Sequence, residues 1–134
     1  LVASILVKYA DPQVDFIGHV GGDDFIVIFQ SDAWESRCLQ IISDFNLGVR
    51  ENFSKSDIEQ NGFWGEDRKG GRCFFPMTSL SIGAVIATPC DFSTSEEVAS
   101  AAASAKRNAK HSGQGFYIAQ DSLDLDKTLQ AVAG

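Results

Sequence analysis

The sequence predicts an α+β fold in which helices flank a mostly antiparallel sheet. Three observations predict it: β-rich runs on either side of a Gly-Gly-Asp-Asp turn, two segments of helical period, and further short β-rich runs between and after those segments. A length of 134 residues suits one compact domain with its own core, spanning residues 1–134. A hydrophobic content of 44% without repeats or low-complexity tracts argues against a disordered chain.

The elements follow in order. Leu1, Ile5 and either Leu6 or Tyr9 share a helical face over Leu1–Ala10, and no N-cap precedes them, so they read as the end of a helix. Asp11-Pro12 breaks it. Val14, Phe16, Ile17 and Val20 form a strand up to Gly21-Gly22, and Phe25–Phe29 forms a second, making an antiparallel hairpin with an exposed tip. Ser31 or Asp32 is placed to cap a helix carrying Trp34, Cys38, Leu39, Ile41, Ile42 and Phe45 through about Asn46. Ser54–Arg72 is polar and Gly-rich and reads as a surface loop, while Phe74–Thr88 reads as one strand. Thr94 or Ser95 opens an alanine-rich helix that Gly113 ends, with Glu96 and Glu97 at its N-terminus and Lys106, Arg107 and Lys110 towards its C-terminus. Phe116–Ile118 is a last strand, and Leu123–Ala133 a terminal helix or tail.

The net charge of −7 and isoelectric point near 4.6 argue against nucleic acid and anionic membrane surfaces as partners. A single nucleotide stays compatible, because glycine amides, a lysine and a divalent metal neutralise phosphates locally. Cys38, Cys73 and Cys90 are odd in number and widely spaced, which fits reduced thiols and a cytoplasmic setting. The longest apolar runs, such as Phe25–Phe29, are too short to cross a bilayer, and the opening residues do not read as a signal peptide.

Gly21-Gly22-Asp23-Asp24-Phe25 is the cluster that points to chemistry. Two glycines let a phosphate approach the backbone, and adjacent carboxylates hold a hard divalent cation. The same residues also suit an ordinary acidic turn. His19 is expected to hold a backbone partner rather than to catalyse, and His111 to be exposed. Trp34, Phe45, Phe53, Trp64 and Phe74 are expected to pack in the core or under loops.

In context, Gly21–Phe25 resembles the GGDEF signature of bacterial cyclic di-GMP signalling. Ser79-Leu-Ser-Ile-Gly-Ala-Val85 is similar to that family's SxGxA-type strand, and Ala109-Lys110-His111-Ser112-Gly113 to its AKxxG helix end, followed by an aromatic strand at Phe116-Tyr117. Phe16–Phe25, Gln30–Trp34, the Gly-rich segment before Phe75-Pro76 and Ala105–Lys110 resemble the GGDEF domains found C-terminal to EAL and CBS domains. The resemblance implies a palm-like nucleotide-cyclase fold whose N-terminal strand and helix, with a metal-binding aspartate and guanine-reading residues, have no counterpart in this sequence.

It further implies that Gly21 and Gly22 face a nucleotide, that Asp23 and Asp24 are the catalytic carboxylates, with Asp23 also a magnesium ligand and Asp24 in the place of the family's Glu one methylene short, and that Lys110 contacts phosphate. Gln114 stands where a second basic residue usually follows, and His19 where the family often has Arg. Lys110 equally suits a lysine compensating the helix dipole. Asp15 corresponds to the aspartate of the family's RxxD product-inhibition motif, with Pro12 at the arginine position, which implies no tight binding of cyclic di-GMP there. The expected function is a weak GTP- and magnesium-binding domain that regulates or dimerises a larger signalling protein. An active diguanylate cyclase and a ligand-free interaction module are the alternatives. A missing central strand predicts an exposed edge, and with it either a fragment separated from its N-terminal part or an oligomer that fills the gap by strand exchange.

Overall fold

The structure, a computed structural model, describes residues 1–119, so the helix or tail expected over Leu123–Ala133 lies outside the described residues. Helices and small sheets make up an α+β chain that divides into two compact units, Leu1–Leu80 and a second beginning at Ser81.

In the first unit, α1 (Val2–Tyr9) packs against α2 (Trp34–Arg50). Ile5 and Leu6 of α1 are buried, as are Cys38, Ile41, Phe45 and Val49 of α2, the latter spaced three and four residues apart as one helical stripe requires. Leu39, expected in that stripe, is 52% exposed, since it lies one position off it. At the rim, Lys8 and Tyr9 of α1 donate hydrogen bonds to the Asp44 carboxylate at 2.7 and 2.8 Å. α2 continues one turn beyond Asn46. Its N-cap is Ala33 in left-handed backbone (φ 60°) and not Ser31 or Asp32, because the Ser31 hydroxyl is engaged elsewhere.

Between α1 and α2 lies the expected hairpin, β1 (Phe16–Gly21) antiparallel to β2 (Asp24–Ile28). The segment expected as a loop is instead structured. Ser54 caps the short α3 (Lys55–Glu59) in a reciprocal capping box with Asp57, and β3 (Gly62–Glu66) pairs antiparallel with β4 (Arg72–Pro76). Its glycines do not loosen the strand. At Gly62 a Cβ would sit 2.5 Å from Cζ of the Phe74 ring and at Gly65 3.2 Å from Cε2 of the Phe75 ring, so the glycines make room for rings. The single strand expected over Phe74–Thr88 is two, divided after Pro76.

In the second unit, β5 (Ile82–Val85), α4 (Ser95–Ser112) and β6 (Phe116–Ala119) form a β-α-β unit. β5 and β6 run parallel, which corrects the expectation of a mostly antiparallel sheet at this point: strands joined by a crossover helix align in one direction. The described strands form three separate two-stranded sheets, two antiparallel and one parallel. Thr94 caps α4 by accepting from the Glu97 amide at 3.2 Å, and Gly113 ends it at φ 74°. Ala101, Ala105 and Ala109 are buried on one side of α4. Among the described residues no helix is long and apolar enough to cross a membrane.

Candidate functional site

The Gly-Gly-Asp-Asp string occupies the tip of the first hairpin. Pairing runs Phe16 with Ile28, Ile17 with Val27, Gly18 with Ile26 and His19 with Phe25, shifts register, and closes on Gly21 opposite Asp24. Gly22 and Asp23 form the two-residue turn. The glycines are required by the backbone: Gly21 has φ 137° and Gly22 φ 57°, conformations that L side chains rarely adopt. No atom lies within 4 Å of the position a Cβ would take at either residue, so the tip presents open backbone. Asp23 and Asp24 are both exposed beside it.

His19 braces this tip. Its Nε2 lies 2.9 Å from the Gly22 carbonyl oxygen, so the proton sits on that nitrogen, and its ring stacks on Phe25 with centroids 4.6 Å apart. The backbone partner expected of His19 is thus the turn itself.

The hairpin's base is held by a network centred on Asp15. Its buried carboxylate, 0% exposed, accepts from the amides of Asp11 (2.7 Å), Gln30 (2.8 Å) and Ser31 (3.0 Å) and from the Ser31 hydroxyl (2.7 Å). Arg37 of α2 completes it, with Nη1 donating to Ser31 Oγ at 2.7 Å and the Tyr9 carbonyl at 3.1 Å, and lying 3.4 Å from Asp15 Oδ2. Burial pushes the Asp15 carboxyl up. The Asp11 amide, the Ser31 hydroxyl and the amides of Gln30 and Ser31 outweigh that and hold it well below the usual carboxylate range. Asp15, the residue matched to product inhibition, therefore has its oxygens surrounded by donors of its own chain. Arg37 carries no local sequence signal, because its partners lie 6, 22 and 28 residues away.

Lys110 is exposed in the last turn of α4, next to the Gly113 cap, where a lysine complements the helix dipole. It belongs to the second unit, whereas Gly21, Gly22, Asp23 and Asp24 come together at one tip in the first. Gln114, in the place of a second basic residue, follows that cap with its amide donating to Ser112 Oγ at 3.3 Å.

The donor set at the tip has a definite capacity. No group of three or more His, Cys, Asp or Glu side chains that can hold a metal occurs among the described residues. Asp23 and Asp24 supply two carboxylates, a number that suits magnesium, which takes one or two carboxylates and completes its shell with water and substrate phosphates. These two would hold such an ion, and when bound it would neutralise phosphate charge. Chelation by the protein alone is not what this tip is built for. No protein-family model matches the chain, and neither the curated proteins nor the solved structures contain a match to it.

Proposed function

We propose that this chain is a GGDEF-type domain of cyclic di-GMP signalling that binds GTP with magnesium weakly and acts chiefly as a regulatory or dimerising partner of other domains, EAL or CBS domains among them. The observation that carries this reading is the hairpin tip: two glycines in glycine-favouring backbone, open to solvent, beside two exposed carboxylates. Glycine backbone with open space where a Cβ would stand suits close approach of phosphate, and Asp23 with Asp24 suits a metal shared with it. Asp24 in the place of glutamate shortens the reach of one carboxylate, which favours binding over turnover.

Calorimetry with GTP and magnesium on the whole chain tests this. Binding that weakens in Asp23→Ala and in Gly22→Ala supports it, and absence of heat at millimolar nucleotide overturns it. Chromatography of the same mixtures separates binding from catalysis: steady formation of cyclic di-GMP, lost in Asp23→Ala, makes the domain an active cyclase instead.

A further inference from the structure

The second hairpin has two different faces. On one, Phe63 stacks on Phe75 and tilts against Phe53 at 5.8 Å, which anchors the hairpin to the end of α2. On the other, Trp64 and its cross-strand partner Phe74 remain 55% and 36% exposed, meeting edge-on at 5.4 Å. The Arg72 guanidinium lies over the Trp64 ring at 5.5 Å, and the Phe74 ring covers Gly62, where a Cβ would come within 2.5 Å of Phe74 Cζ. The two rings and the Arg72 guanidinium are therefore already held against one another, so a ligand would not have to order them.

Charge accompanies the rings. Arg68, Lys69 and Arg72 are three of the chain's eleven basic residues, gathered within five positions, and none forms an ion pair among the described residues, although Glu66 stands opposite Arg72 in the strand pairing. The neighbouring Asp67 carboxylate closes the turn by accepting from the amides of Lys69 (2.8 Å) and Gly71 (2.9 Å). Pre-ordered aromatic rings with an arginine over one of them are the composition of a protein-binding surface. Against the carboxylates of Glu66 and Asp67, the three cations leave this hairpin at +1 in a chain of −7, which favours an anionic occupant.

A nucleic acid or an anionic bilayer meets much of a protein's surface and is opposed by the net charge of −7. A short segment meets only this face, and charges more than about 8 Å away are screened at physiological salt. We propose that the Trp64–Phe74–Arg72 face docks an extended acidic peptide segment of a partner protein, with apolar side chains against the rings and carboxylates on Arg68, Lys69 and Arg72. This surface is independent of the nucleotide-binding reading of the first hairpin.

Fluorescence anisotropy on the full chain tests it, using a labelled peptide of about nine residues that alternates Asp with Leu, a control with Asn for Asp, and vesicles of phosphatidylcholine and phosphatidylserine. The acidic peptide is expected to bind at low salt, and the Asn peptide about tenfold or more weakly. Trp64→Ala is expected to cost about tenfold or more in affinity. Arg68→Glu with Lys69→Glu, which leaves the ring pair intact, is expected to abolish binding while matching the parent in thermal unfolding. Equal binding of the Asn peptide, unchanged affinity in either variant, no binding at millimolar acidic peptide, or Trp64-dependent vesicle binding in its place each overturns the proposal.

Discussion

Replacing Gly83 with alanine is expected to destabilise the second unit far more than a single methyl suggests. Gly83 lies in β5, and a Cβ there would sit 2.1 Å from the Lys106 amide nitrogen, 2.4 Å from the Ala105 carbonyl carbon and 2.6 Å from Lys106 Cα. The first distance is roughly 1.4 Å inside an ordinary contact of about 3.5 Å. All three atoms are helix backbone, so no rotamer change relieves the overlap and α4 must move away from the strand. A gap of about 0.5–1 Å already forfeits a quarter to a half of the dispersion attraction, and Ala105 and Ala109, 1% and 0% exposed, are too small to refill it. Alanine's better strand conformation returns about 0.5–1 kcal/mol. The net loss is expected to be about 3 kcal/mol, the upper part of the range for overpacked cores. For a chain of this size that lowers the melting temperature by roughly 10 °C. Urea unfolding by circular dichroism and amide exchange in α4 measure it, and an alanine variant within about 0.5 kcal/mol of the parent would refute the close strand-to-helix contact.

Four further outcomes are expected. Because the folded Asp15 carboxyl is held below its unfolded value, its stabilisation is complete above the usual carboxylate range and is lost as the pH falls from about 5 downwards; melting temperatures of Asp15→Asn across that range should fall less steeply on acidification than the parent's, and parallel curves would contradict the network. Gly22→Ala meets no atom but must hold φ 57°, so a stability loss of about 1–2 kcal/mol from backbone strain alone is expected in denaturant titration. Thr94→Ala removes the α4 cap and should cost about 1 kcal/mol, with Thr94→Ser restoring most of it. Burial, with the Glu35 charge adding to it, pushes the Cys38 thiol up to about 11, whereas Cys73 and Cys90 are exposed; a thiol reagent at pH near 8 should label two cysteines quickly and the third only on unfolding.

What the sequence by itself determined is what neighbouring residues decide among themselves. Thr94 and Gly113 bound α4 because a cap is made with a residue three positions away and a left-handed C-terminus needs only glycine. The spacing of Cys38, Ile41 and Phe45 placed the buried stripe of α2, and the hairpin around Gly21–Asp24 was legible because its turn backbone requires glycine. Only the tertiary structure decided the remainder. Ser54–Arg72 looked like a loop because its glycines lower strand propensity, and only the rings of Phe63, Phe74 and Phe75 from two separate runs make those glycines useful. Ser31 looked like a helix cap by position, yet Asp15 and Arg37 claim its hydroxyl across 16 and 6 residues. β6 pairs parallel to β5 because the intervening α4 returns the chain in the same direction, and no local run of residues encodes a strand's partner. Caps and turns are settled by atoms within one turn of chain, whereas pairing, burial and charge networks depend on which distant segments meet.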